Sequence, residues 1–172
     1  MVPKPYTRAG LFMGVMSGIG FPDSLRSELE ALFGRIGMVT EPFPFDFTDY
    51  YEKELGKTPE RFFLYFQKPI LPDELGRVKL MTNELELAYS DNGLRKIDLD
   101  PGYITEANVV LATTKARAHR VAIGNQLYAE VTLIYHRKGW ETFPWTYPDY
   151  RSEKVQGVMT LFRSLYLSAL KA

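Results

Sequence analysis

The chain has 172 residues and a formal net charge of zero, from 21 Lys plus Arg against 21 Asp plus Glu. That length suits one domain, residues 1–172, with a core that needs no disulfide or metal. The even charge argues against a sequence-blind nucleic-acid coat, and the absence of cysteine removes disulfides, thiol nucleophiles, thiolate zinc sites and iron–sulfur clusters together.

Met1 to Gly10 lacks the apolar stretch of a signal peptide and reads as a loosely held arm. Leu11 to Met16 is an apolar run that predicts a buried strand. Asp23 or Ser24 caps a helix with Leu25, Leu29, Leu32 and Phe33 on one face, ended by Gly34. Met38 to Phe47 reads as extended, and Pro42 and Pro44 place it at an edge. Tyr50 to Leu55 predicts a helical turn and Arg61 to Gln67 an aromatic strand. Pro72 opens a longer helix whose stripe is Leu75, Val78, Thr82, Leu85 and Tyr89, stopped by Asn92-Gly93. Leu94 to Leu99 is a short strand. Thr105 starts a short helix carrying Val109, Val110 and Leu111. His119 to Ile123 and Leu127 to His136 form a hairpin around Gly124-Asn125, with Leu127, Ala129, Val131, Leu133 and Tyr135 as the apolar face of its second strand. Arg137-Lys138-Gly139 is a second turn, before a strand near Trp140 to Phe143. Ser152 caps a last helix with Val155, Val158, Met159, Phe162, Leu165 and Ala169 inside. The expected class is α+β: a ferredoxin-like β-α-β-β-α-β core, extended by a C-terminal antiparallel hairpin and meander and a terminal helix. No run approaches the roughly 20 apolar residues of a membrane span, so the expectation is a cytoplasmic protein that does not engage membranes.

Three stretches carry candidate chemistry. Asp98 and Asp100 are two apart on a strand and so share a face. Two carboxylates on one face suit a hard divalent cation or an acid–base pair, although Asp100-Pro101-Gly102 also has the composition of a simple turn. In the hairpin, a two-residue Gly124-Asn125 turn sets His119 opposite Glu130. Lys115, Arg117, His119 and Arg120 gather enough positive charge to hold a phosphate or carboxylate, and equally suit a solvated strand face with weak ion pairs. The third stretch, Pro144 to Arg151, is stiff and aromatic, and offers Tyr147 and Arg151 as ligand contacts or a plug over the core.

Several motifs are missing. Gly14 to Gly20 follows a strand, but no Lys-Ser/Thr pair follows it, so there is no phosphate loop. With two histidines a three-histidine zinc site is impossible. No Gly-x-Ser-x-Gly elbow occurs. Haem, iron–sulfur clusters and a phosphate-loop nucleotide are not expected.

The chain resembles the prokaryotic family known as domain of unknown function 4416. The matching segments are Glu41 to Glu52, Lys79 to Glu86, Asp98 to Tyr103, Leu111 to Lys115, His119-Arg120, Tyr128 to Leu133 and Pro144 to Arg151. The resemblance implies no established activity. Some members carry a label of GTP-binding protein, which the missing phosphate loop does not support. The shared motifs are polar and aromatic, among them Asp46, Asn83, Asp98, Asp100, Lys115, Glu130 and Asp149, which favours a site over a mere scaffold.

Three functions follow as expectations. The first is a metal-assisted enzyme on a phosphate-bearing substrate, a nucleotide or nucleic-acid end. In it Lys115, Arg120, Tyr147 and Arg151 bind substrate, and His119 serves with the carboxylates in catalysis. Asp98, Asp100 and Glu130 hold Mg²⁺ or Mn²⁺ or act as general base. The second is a non-catalytic nucleotide or RNA binding module with stacking rings. The third is a structural or assembly role with no active site.

Overall fold

The computed structural model describes residues 1–137 and 139–171. Its strands are β1 (Gly10–Ser17), β2 (Ile36–Val39), β3 (Phe43–Pro44), β4 (Glu60–Phe66), β5 (Ile97–Ile104), β6 (Asn108–Thr113), β7 (Val121–Gly124), β8 (Leu127–His136) and β9 (Gly139–Thr142). Its α-helices are α1 (Asp23–Phe33), α2 (Glu52–Leu55), α3 (Leu75–Ala88), α4 (Pro148–Arg151) and α5 (Glu153–Ala169), with a 3-10 turn at Pro72–Glu74 leading into α3. The expected turn at 137–139 includes Lys138, outside the described residues.

The strands form one antiparallel sheet in the order β2-β4-β1-β5-β6-β8-β7, with β3 also along β4 and β9 also along β8. The α+β content expected from the sequence holds. Period-two alternation gives each central strand two buried faces. Leu11, Met13 and Val15 of β1 pack with Leu25 and Leu29 of α1 and Val78 of α3. Phe12 of β1 packs on the opposite face with Val155, Met159 and Phe162 of α5. Helices therefore cover both sides of the sheet, which is why β1 and β4 read as continuous apolar runs.

Local signals place the helices well. Gly34 ends α1 at φ 88, and the Ser152 side chain accepts from the Val155 N–H to open α5. Leu32, expected inside, is exposed, whereas Leu25, Leu29 and Phe33 are buried. On α3 the buried stripe includes Lys79 and Glu86 beside Val78 and Thr82. The arm is shorter than expected, because Ala9 and Gly10 are buried and Ala9 bridges to Ile70.

Four expectations are corrected. Asp100-Pro101-Gly102 is not a turn but the middle of β5, paired with Gly14, Met13 and Phe12 of β1. The segment after Thr105 is not a helix. It is β6, because β-branched Val109 and Val110 fill positions between β5 and β8. The hairpin turn is Asn125-Gln126, both at positive φ, with Gly124 opposite Leu127. Val121 then opposes Ala129, so the register places Arg120, and not His119, across from Glu130. Finally, β8 does not keep one apolar face. Thr132 is an extra residue between the Val110–Val131 and Val109–Leu133 pairs, and this bulge turns Leu133 to the α5 side while Val131 stays on the other.

Candidate functional site

The sheet opens between β5 and β6. Their pairing runs only from Gly102 to Ile104 against Leu111 to Val109. Beyond Gly102 two side chains of α3 replace the missing strand. The Leu99 N–H donates to Glu86 Oε1 at 2.7 Å, and Lys79 Nζ donates to the Leu99 carbonyl at 2.8 Å. Pro101, on the same edge by the period-two rule, has no N–H to satisfy. Burying Lys79 and Glu86 is thus the condition for a β5 edge that ends in side chains and not in a neighbour.

A cleft of about 510 Å³ occupies this opening. Its floor holds Asp98, Asp100 and Arg61, its α3 side Lys79, Asn83 and Glu86. One wall is the segment before α2, with Phe45, Phe47, Tyr50 and Tyr51. The other is the start of α4, with Tyr147, Asp149 and Tyr150. Asp98 and Asp100 face the cleft together, as their spacing on a strand predicts.

The charges form two knots. Arg61, almost fully buried, lies 3.3 Å from Asp100 Oδ2 and 3.0 Å from Asp149 Oδ2. Burial works against its charge, yet Asp149 and Asp100 outweigh that and hold its pKa above the usual arginine value. Arg95 bonds Asp98, Glu86 and Glu54. Burial, then the charges of Asp100 and Glu86, push the Asp98 carboxyl up to about 7 despite Lys79 and Arg95. Burial also raises Glu86. The two neighbouring carboxyl groups therefore differ in kind: Asp98 is buried and holds its proton near neutrality, while the Asp100 side chain is 32% exposed and ion-paired.

Among the described residues, the buried side-chain atoms with no hydrogen bond are Arg61 Nε, Tyr150 OH and Asp149 Oδ2, the last of which keeps its ion pair with Arg61. All three belong to residues that line the cleft. Unpaired buried polar atoms are rare in folded proteins and concentrate where a ligand, water or chemistry completes them.

The second candidate cluster sits on the same sheet face, since Gly102, Leu111 and Glu130 are successive cross-strand partners. Buried Glu130 Oε2 accepts from Arg120 Nε at 2.7 Å and lies 3.0 Å from His119 Nε2. The His119–Glu130 contact exists, but His119 reaches it from the turn before β7. Its ring stacks on Trp145 at 4.9 Å. Arg120 also donates to the Lys115 carbonyl and, at 2.9 Å, to Tyr147 OH. Tyr147 thus connects the cluster to the cleft.

The structure brings together Asp98, Asp100 and Tyr147 in the cleft, and His119, Arg120 and Glu130 beside it. It does not bring Glu130 to the two aspartates: its carboxylate is closed by His119, Arg120 and Thr132. Among the described residues no three His, Cys, Asp or Glu side chains surround a common metal position. Arg151 is committed to the carbonyls of Phe143, Pro144 and Thr146, so it shapes the loop. Lys115 Nζ sits over the Tyr50 ring at 4.9 Å. Sequence reading missed Arg61, Lys79, Glu86 and Arg95. A charged residue opening an aromatic strand, and Lys79-Thr82-Glu86 at helical spacing, were signals for three of them.

Among the described residues no helix is long and apolar enough to cross a membrane. A model of the family described as Domain of unknown function (DUF4416) matches residues 7–166. No curated protein matches the chain, and no solved structure does.

Proposed function

The chain belongs to the family of domain of unknown function 4416, and we propose that it is an enzyme acting on a small ring-bearing molecule by proton transfer at Asp98 and Asp100. The observation that carries this reading is the unequal carboxyl pair on the cleft floor. Asp98, with a pKa of about 7, is suited to give or take a proton near neutral pH. Asp100, ion-paired with Arg61, is suited to orient the substrate or accept a proton from it. A buried carboxyl with a raised pKa beside an ion-paired one is a recurrent acid–base arrangement. The aromatic walls fit a planar group.

A stacking platform for RNA or single strands presents its rings on an open face. Here the rings turn into a cleft of about 510 Å³, which favours a small molecule over the nucleic-acid reading. The order β2-β4-β1-β5, with α1 after β1 and α3 after β4, supports reading residues 10–104 as a ferredoxin-like unit.

The metal-assisted reading on a phosphate-bearing substrate takes a reduced form. Mg²⁺ is often held by one or two carboxylates and completes its shell from water and substrate phosphate. Asp98 and Asp100 supply two hard oxygen donors on one face. In this reduced form Glu130 is not used as a third donor, its carboxylate being engaged by His119, Arg120 and Thr132.

The test is incubation of the pure chain with pooled metabolites, with and without Mg²⁺ or Mn²⁺, followed by mass spectrometry. The expected result is conversion of a ring-bearing compound, lowered about a hundredfold or more in Asp98→Asn and Asp100→Asn. Conversion only of phosphorylated compounds, and only with metal, would replace this reading by the metal-assisted one. Conversion that survives both substitutions would remove the carboxyl pair from the mechanism.

A further inference from the structure

We propose that the ligand taken by this cleft carries a cationic nitrogen, an ammonium or amidinium, held between the aromatic wall and the Asp100 carboxylate. The proposal rests on reading the cleft as the ligand site and adds the charge class of the ligand.

Three cations line the cleft, Arg61, Lys79 and Arg95, beside the carboxyl groups of Glu86, Asp98, Asp100 and Asp149. Each cation is already engaged. Arg61 is held between Asp100 and Asp149. Lys79 is bonded to the Leu99 carbonyl. Arg95 is bonded to Glu54, Glu86 and Asp98. An anionic ligand would have to compete with the carboxylates on Arg61 and Arg95, or with the Leu99 carbonyl on Lys79. A cationic ligand needs no such exchange, because the Asp100 side chain is 32% exposed and can accept from it.

The rings supply the second half of the site. Phe45, Phe47, Tyr50 and Tyr51 form one continuous wall, with neighbouring centroids between 5.0 and 5.9 Å apart. Aromatic faces above a carboxylate are the usual means of holding an organic ammonium, and a hydrated metal ion gains little from them. One of these rings already carries an ammonium: Lys115 Nζ lies 4.9 Å from the Tyr50 centroid and 3.4 Å from its hydroxyl.

An independent observation marks the place as unfinished. Tyr150 OH is buried and lacks a hydrogen-bond partner among the described residues, and Tyr150 lines the cleft. An open hydroxyl among the lining residues, together with the exposed part of the Asp100 carboxylate, suits a group with several N–H donors. The same negative surroundings that help keep a proton on Asp98, from Asp100 and Glu86, favour a positive charge on the ligand.

The test compares one ring with different charges on the full chain, by calorimetric titration with amide and side-chain NMR to locate binding. The probes are benzylamine, benzamidine and benzyltrimethylammonium, then benzyl alcohol, benzoate and phenyl phosphate, with MgCl₂ as the inorganic cation. The expected result is cleft binding by the cationic probes at least tenfold tighter than by benzyl alcohol. Asp100→Asn should lower that affinity at least tenfold. Phe47→Leu, at a half-exposed wall position that leaves the core intact, should lower it severalfold. Anionic or neutral probes binding in the cleft as well as the cations would overturn the charge class and keep the cleft as the ligand site. Mg²⁺ binding with no response to the organic cations would overturn it in favour of an inorganic ion. No cleft perturbation by any probe would remove both the proposal and the ligand site on which it rests.

Discussion

Arg61 lies flat against Gly14. A Cβ on residue 14 would sit 3.0 Å from the guanidinium carbon and 2.9 Å from Nη2. A glycine in the middle of a buried central strand weakens it, and here its lack of a side chain makes room for the cation that separates Asp100 from Asp149. Gly14→Ala is expected to push Arg61 off this seat and destabilise the fold by about 1–3 kcal/mol. Urea unfolding with intrinsic fluorescence measures it. Unchanged stability would mean that Arg61 has room to shift without loss.

Asp98 makes stability depend on pH in a defined direction. Its folded pKa of about 7 lies above the ordinary value of 3.8. The folded state therefore binds the extra proton between those two values, and stability falls as pH rises through that window, then levels above it. Asp98→Asn is expected to flatten the slope between about pH 4 and 7. Glu86, also raised by burial, adds a slope of the same sign that survives the substitution. Thermal unfolding of both proteins across that range decides it, and equal slopes would place the Asp98 carboxyl in an ordinary aqueous setting.

Glu86 acts as the missing strand for Leu99. Glu86→Ala removes the acceptor of a buried N–H and is expected to cost about 1–3 kcal/mol. The Leu99 amide should then exchange its hydrogen at least tenfold faster, while Glu86→Gln, which keeps an acceptor oxygen, should stay closer to wild type. Equal protection in all three would show that water or a local closure of β5 onto β6 satisfies the amide.

Among the described residues Glu130 is the carboxylate that accepts from Arg120, whose side chain is 6% exposed. Glu130→Ala leaves that guanidinium buried without its partner, at an expected cost of about 3–5 kcal/mol. The stacked His119 and Trp145 rings should loosen too, which near-ultraviolet circular dichroism reports. A loss below about 1 kcal/mol would mark the cluster as a surface ion pair.

Part of this molecule is legible in its residues. The caps at Gly34 and Ser152, the apolar stripes of α1 and α5 apart from exposed Leu32 and Ala169, and the same-face placement of Asp98 and Asp100 follow from local periodicity and turn chemistry. The hairpin was legible as a hairpin, but its register was not. A turn at Asn125-Gln126 in place of Gly124-Asn125, with a bulge at Thr132, changes which residue faces Glu130. Composition also misled at Asp100-Pro101-Gly102, where turn-forming residues run through a strand, and at Val109 and Val110, where neighbouring strands decided the state.

By itself the sequence determined the α+β class, the carboxyl pair and the aromatic segments that become the cleft walls, because each depends on residues within a turn or a strand of one another. Only the tertiary structure decided that Arg61, Lys79, Glu86 and Arg95 converge on that pair, and that Glu130 stays with His119 and Arg120. Those partners are up to several dozen residues apart in the chain. Their meeting depends on β5 and β6 staying apart on the N-terminal side of Gly102, a long-range event that leaves no period in the sequence to read.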